Sequence, residues 1–256
     1  MIINELERYF EGLLPHSLSC EWDNDGLMLS YDGKKEVRSA LLTLDVTERA
    51  VDRAIELGVD AIFTHHPFIF RGLKRLTDKD PRTAIVYKLI SHNISVFSYH
   101  TRLDAAEGGV NDIMCSEIKM TDAQPLGEGE LSMSRIGCIE KIRIEEFAKE
   151  IKSRFDCQSM LLAKADSASR EVSRVCVLGG ACDRSFIDAA ISSGADVLVT
   201  GDASYNNILD ANLEGMHMIC LGHYSSENIV LRWFDEKLSS LDITTYKFDC
   251  GYFEYL

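Results

Sequence analysis

The chain has 256 residues, 46% hydrophobic and 27% charged, which are globular proportions that exclude disordered and fibrous classes and leave room for one large domain or two small lobes. A formal net charge of −14 and a pI near 4.9 remove the usual electrostatic footprint of a nucleic-acid binder. Cysteines at 20, 115, 138, 157, 176, 182, 220 and 250 form no C-x-x-C pair, the usage of a reduced cytosol, and no apolar run approaches a membrane span. A cytoplasmic protein without a membrane anchor is expected.

The first residues, Met1 to Leu14, carry charges through their apolar positions and read as an amphipathic helix rather than a signal sequence. Ser39 to Leu44 is an apolar strand, and Thr47 is a candidate N-cap for a helix with Ala50, Val51, Ala54 and Ile55 on one face, stopped by Gly58. Residues 59 to 64 form the next strand, Pro81 to His92 a second helix and Ile94 to Tyr99 a third strand. Residues 107–171 read as a short insert, with Gly108-Gly109, a helix near Ile144 to Phe155 and an alternating stretch Ser159 to Ala163, suited to a small cap or inter-lobe element. After it come the strand Val175 to Leu178, a helix from about Asp183 stopped by Gly194, the strand Val197 to Thr200, a helix over Tyr205 to Leu213 and the strand His217 to Leu221.

Laid over one another, residues 52–64 and 188–200 match at Asp52/Asp188, Ala54/Ala190, Ile55/Ile191, Gly58/Gly194, Asp60/Asp196 and Thr64/Thr200. Each half therefore reads as a β-α-β-α-β unit, and the expected fold is α/β with two related lobes built on mostly parallel sheets. The expected division is a first lobe of residues 1–106 closed by 228–256, the insert 107–171, and a second lobe core of 172–227.

Functional residues of such units gather beyond the carboxyl ends of the strands. His65 and His66 stand there after the second strand, and Pro67 turns the backbone out of the sheet so that both rings can face one site. His100 with Asp104, and His223 with Glu227, repeat one pattern: a histidine at a strand end and a carboxylate four residues on. Imidazole with carboxylate suits Zn, Mn, Fe or Ni rather than Ca or Mg. The bland readings are a packed histidine beside an Arg102–Asp104 pair, and for the last segment a helix capped by Ser225 or Ser226 with Glu227 complementing the dipole. Gly201-Asp202 stands where the first half has His65-His66, so Asp202 suits an outer contact to a ligand, a substrate contact or a turn. Gly179-Gly180 reads as a tight turn and Cys182 as a quiet thiol; no phosphate-loop or nucleophilic-serine motif is present.

The segments Trp22-Asp-Asn-Asp-Gly-Leu27, Leu44-Asp-Val-Thr47, Thr64-His-His-Pro67, His100-Thr-Arg-Leu-Asp104, Gly108-Gly-Val-Asn111, Gly194-Ala-Asp196 through Thr200-Gly-Asp202, and Gly222-His223 to Glu227 together make the chain resemble the Nif-three-like family, whose bacterial members are often labelled GTP cyclohydrolase I type 2 homologues. The resemblance implies a dinuclear centre of two divalent metal ions per subunit on His65, His66, Asp104, His223 and Glu227, with Glu227 bridging. It also implies lobes facing across a cleft and a toroidal homohexamer. Some members carry a ferredoxin-like domain between the lobes; the insert here is too short for it. One departure is Asn206 after Tyr205, where the family commonly has a histidine.

The expected function is that of a metal-dependent hydrolase acting on a nucleotide or phosphoester-like small molecule, with Glu227 and His100 as catalytic candidates and Trp22, Asn24 and Asp202 as substrate contacts. The alternative is a non-catalytic, metal-holding hexameric scaffold or regulatory protein. A nucleic-acid-binding ring is disfavoured by the acidic balance.

Overall fold

A computed structural model describes residues 1–77 and 79–249; Cys250 and the rest of the expected closing segment 228–256 beyond it lie outside the described residues. In chain order the elements are α1 (Ile3–Leu13), β1 (Gly26–Leu29), β2 (Ser39–Thr43), α2 (Glu48–Leu57), β3 (Ala61–Thr64), α3 (Pro81–Ser91), β4 (Ser95–Ser98), α4 (Thr101–Ala105), α5 (Val110–Ile118), β5 (Thr121–Pro125), β6 (Arg135–Arg143), α6 (Ile144–Arg154), β7 (Leu161–Ala163), β8 (Glu171–Cys182), α7 (Arg184–Ser192), β9 (Val197–Ala203), α8 (Tyr205–Leu213), β10 (His217–Cys220), α9 (His223–Glu227), α10 (Leu231–Ser239) and β11 (Thr244–Lys247). The described residues fall into two compact units, one of Met1–Leu103 joined by residues 230–249, the other of Asp104–Ile229. No helix among the described residues is long and apolar enough to cross a membrane.

The first unit holds a five-stranded sheet in the order β1-β4-β3-β2-β11, parallel except where β1 meets β4. Its inner strands β3 and β4 are buried at every position, as expected of a sheet covered on both faces. On one face, Ala50, Val51 and Ala54 of α2 pack on Leu41, Ile62 and Val96. Thr47 caps α2 by accepting from Ala50 N, and Gly58 ends it in the left-handed conformation at φ 64°. Elsewhere the unit packs aromatic rings: Phe63 stacks on Phe97 at 4.6 Å and Phe10 on Tyr99 at 5.1 Å, with Phe234 of α10 at 6.0 Å from Phe63.

The second unit holds a six-stranded sheet, β5-β6-β8-β9-β10-β7. Its centre, β8-β9-β10, is parallel, and β5, β6 and β7 add antiparallel flanks. The core is aliphatic, with Val175, Val177, Val197, Val199 and Ile219 under Phe147 and Ile151 of α6 and Met114 and Ile118 of α5. Residues 107–171, read from the sequence as a cap between lobes, supply α5, β5, β6, α6 and β7 to this unit, so the segment is woven into the sheet. Short alternating stretches such as Leu161–Ala163 carry no sign of which strand they will pair with; pairing with β10 is decided by the exposed hydrogen-bonding edge it covers.

The sequence repeat has a physical counterpart. Asp60 Oδ2 accepts from the backbone N–H groups of Arg38 and Ser39 at 2.9 and 3.2 Å, and Asp196 Oδ2 accepts from those of Ser173 and Arg174, both at 2.8 Å. Each carboxylate thus fixes the entry of the neighbouring parallel strand, β2 in one unit and β8 in the other. Thr64 and Thr200 match in the same way, their hydroxyls donating to the carbonyls of Leu44 and Gly180.

Gly179-Gly180 do not form the expected turn. Both lie inside β8, where the register with β9 shifts between Leu178 and Ala181, and Gly180 has φ 68°. The glycine pair makes a bulge because the strand continues past it to Cys182.

Candidate metal centre

In the first unit the chain turns out of β3 at His65-His66 and out of β4 at His100. The ring nitrogens of the three histidines come within 4.8 Å of one another, so both imidazoles of the adjacent pair do turn to one place. His65 is fully buried and its Nδ1 lies 2.9 Å from Tyr99 O. His66 Nδ1 lies 2.8 Å from Asp45 Oδ1, and His100 Nδ1 lies 3.0 Å from Asp23 Oδ1. Carbonyl and carboxylate oxygens only accept, so each Nδ1 donates, which makes Nε2 the nitrogen that a metal ion would use.

Asp23 also accepts from Thr101 N at 3.1 Å and Thr101 Oγ1 at 2.6 Å. Burial pushes its carboxyl up, but the hydrogen bond and charge of His100 and the bonds from Thr101 outweigh this and hold it well below the usual carboxylate range. Arg102 does not pair with Asp104 as the bland reading had it. Its Nε donates to Asp25 at 2.8 Å, its Nη1 to Glu11 and Leu14 O, and its Nη2 to Asp25 and His16. A guanidinium that is 1% exposed needs all its donors met, and Asp25, 77 residues away in sequence, meets them better than a neighbour on the same helix. The Trp22-Asp-Asn-Asp segment is thus a clamp on residues 100–102, with Trp22 set edge-on to the His100 ring at 6.2 Å.

In the second unit His223 and Glu227 are the ends of the one-turn helix α9. Gly222 is the N-cap and no side chain caps the helix, so neither Ser225 nor Ser226 plays that part. Ser226 instead accepts from Gly180 N at 3.0 Å and donates to His223 O at 2.8 Å, tying α9 to the bulge of β8. His223 Nδ1 lies 3.2 Å from Asp202 Oδ2, and its Nε2 lies 3.1 Å from Glu227 Oε2. An imidazolium donating to both carboxylates has this spacing, and so do two ligand atoms about 2.1 Å from one metal ion. Glu227 is 3% exposed, and a Cβ on Gly180 would overlap its Oε1, so the strand bulges with glycine where this carboxylate needs space. A Cβ on Gly201 would lie 2.5 Å from Gly180 O, so no larger residue fits there. Asp104 is buried on α4; Asn111, itself fully buried, donates to Asp104 O at 3.3 Å and accepts from Gly179 N at 2.8 Å. The Asn111 and Ser226 side chains therefore link the Asp104 carbonyl, through the bulge, to the His223 carbonyl.

Among the described residues the His65, His66 and His100 set, with its outer oxygens already in place, fits a divalent metal ion, and His223 with Glu227 offers a further pair of donors. Asp23, Asp45 and Asn111, as positioning residues, are not identified by spacing; their only sequence signal is that they sit within the quoted segments around Trp22, Leu44 and Gly108. Asn24 donates through its side chain to Ile69 O, and Asn206 is exposed at the start of α8. Burial pushes the Cys182 thiol far above its ordinary value and that of Cys176 up to about 12, as quiet thiols require.

Two α/β units with histidines and carboxylates at the ends of parallel strands define a candidate metal-binding α/β protein. The family model described as Duf34/NIF3 (NGG1p interacting factor 3) matches residues 1–251, and the chain belongs to this family. It is 32% identical to a GTP cyclohydrolase 1 type 2 homolog of Streptococcus pneumoniae over 254 residues, 95% of each chain. Reduced HcgD from Methanocaldococcus jannaschii superposes with a TM-score of 0.86 at 27% identity, covering 97% of this chain and 98% of that one. A Bacillus cereus protein related to NIF3 shares the fold with a TM-score of 0.86 at 22% identity, covering 100% and 99%.

Proposed function

We propose that the chain holds two divalent metal ions, of the Zn, Mn, Fe or Ni kind, on His65, His66, Asp104, His223 and Glu227, and that it hydrolyses a nucleotide or phosphoester-like small molecule there in the cytoplasm. One observation carries the reading: the ring nitrogens of His65, His66 and His100 come within 4.8 Å of one another while each Nδ1 lies beside an oxygen acceptor, the arrangement of metal-ligating histidines. The convergence sets these rings apart, not the Nδ1 contact alone, because His92 Nδ1 also lies 2.8 Å from Lys88 O. His217, also buried, has both ring nitrogens bonded to backbone, accepting from Ala165 N at 3.0 Å and donating to Ser169 O at 2.8 Å.

Bound ions of this kind lower the pKa of water and polarise a phosphoryl or carbonyl oxygen. Around them His100, oriented by Asp23, is the base that moves the proton, and the Asn24 and Trp22 loop meets the substrate. Asp202 orients His223. Glu227 serves as ligand, catalytic through the ions it holds. The GTP cyclohydrolase name of the S. pneumoniae relative is what suggests a hydrolase of nucleotides. Assembly as a homohexamer belongs to the same reading and is checked by mass in solution.

Elemental analysis of protein purified without chelators is expected to give two metal ions per chain, and Glu227→Ala to lose metal together with turnover on a panel of nucleotides and phosphoesters. Fewer than about 1.5 ions per chain at saturation argues against the pair. Asn206 in place of the family's histidine favours a second reading, a metal-holding scaffold without turnover; full metal content with no activity on the panel selects it.

A further inference from the structure

Beside the three histidines of the first unit lies a surface that metal binding does not explain. Trp22 and Phe70 are 52% and 44% exposed, yet their rings meet edge to face at 6.2 Å, and Trp22 also meets His100. Two large aromatic side chains, each about half exposed beside the candidate site, present ring surface to solvent. The loops carrying them are fastened together. Asn24 donates to Ile69 O, Asn24 N donates to Asp23 Oδ1 at 2.8 Å, and Phe68 N donates to Ser98 Oγ at 3.2 Å.

The loop that brings Phe70 continues as Arg71-Gly-Leu-Lys74-Arg75. Residues 68–77 hold three cations and no acid, in a chain of net charge −14. All three are exposed, and among the described residues none takes part in an ion pair, whereas Arg102, Arg135, Arg154 and Arg184 each do. Exposed cations following an exposed ring suit a ligand with a planar aromatic part and an anionic part. A protein this acidic, offering three positive charges, suits one or a few phosphates rather than a polyanion.

We infer that Trp22 and Phe70 bind the heterocyclic base of a mononucleotide and that Arg71, Lys74 and Arg75 bind its phosphate, presenting the ligand to the histidine cluster. This deepens the hydrolase reading by naming the ligand class and rests on it for what happens to the ligand; the binding itself requires no metal.

The chain has only two tryptophans, and Trp233 is buried, so a Trp233→Phe background leaves Trp22 as the sole indole reporter. Chelator-treated protein is titrated with AMP and GMP, and separately with adenosine, ribose 5-phosphate and a short oligothymidylate. Both nucleotides are expected to quench Trp22 saturably, Phe70→Ala to weaken them about 5- to 10-fold, and Phe70→Tyr to restore them. The triple change of Arg71, Lys74 and Arg75 to Ala is expected to weaken them at least about 10-fold and flatten the salt dependence, with adenosine and ribose 5-phosphate each binding about 10-fold more weakly than AMP. Three results overturn the inference: no saturable quenching up to about 1 mM nucleotide, quenching unmoved by both the Phe70 and triple variants, or the oligothymidylate binding more tightly than either nucleotide. Metal content measured before chelation separates the two readings. Metal without nucleotide binding sinks only this inference; nucleotide binding without metal sinks only the metal reading.

Discussion

The two units begin from one plan and diverge at the same point. Asp60 and Asp196 hold the neighbouring strand by the same pair of backbone bonds, and Thr64 and Thr200 close the next strand in the same way. After the threonine the first unit places His65-His66 and the second Gly201-Asp202. In the first, imidazoles are the candidate ligands, with Asp45 behind His66, Asp23 behind His100 and the Tyr99 carbonyl behind His65. In the second, glycines at 180 and 201 leave room for α9, whose Glu227 is the buried carboxylate, and the aspartate that replaces His66 in the repeat stands behind His223. A duplicated frame thus carries two different chemistries because side-chain volume at two or three positions decides what packs over the strand ends.

The strongest way to break this comparison is Gly180→Ala. Its methyl would displace Glu227 and force a non-glycine residue to φ 68°, so metal held by His223 and Glu227 is expected to weaken by more than about 100-fold, read by metal titration. Gly58→Ala is the control: its φ is 64° but nothing lies within 4 Å, so it is expected to cost about 1 kcal/mol of stability and no metal. Next come Asp60→Ala and Asp196→Ala, each leaving two backbone donors without their charged acceptor. Denaturant unfolding should show each losing about 2–3 kcal/mol, and costs differing severalfold would break the equivalence of the repeat. Asp45→Asn and Asp202→Asn, one in each unit, are expected to weaken metal about 10- to 100-fold without unfolding the chain; an unchanged affinity for either removes that aspartate from the site.

The smallest effect is with pH. Because the folded Asp23 carboxyl titrates well below its unfolded value of 3.8, its contribution to stability is full above that value and is lost as pH falls through the folded one. Acid unfolding of Asp23→Asn should therefore be less steep below about pH 4 than that of the parent chain.

Much of the frame was legible in the sequence because its signals are local. The apolar face of α2, the Thr47 cap, the start of α7 near Asp183 and the glycines after α2 and α7 act within a few residues of chain, and the structure has each of them where spacing puts it. The histidines were legible because strand ends are where parallel sheets expose chemistry. What spacing could not give was partnership over distance. Arg102 was weighed against Asp104, its neighbour, yet it is met by Asp25 and Glu11; Gly179-Gly180 looked like a turn because nothing in the local sequence reveals a strand continuing to Cys182.

The sequence by itself determined the repeat, the order of strands and helices within its two copies, and the identity of the candidate ligands, since periodicity and capping are properties of the chain alone. Only the tertiary structure decided which oxygen stands behind each imidazole, why Gly180 must lack a Cβ, and that residues 107–171 complete a sheet. Those depend on groups far apart in sequence satisfying one another's hydrogen bonds and volume at once, a condition no single segment encodes.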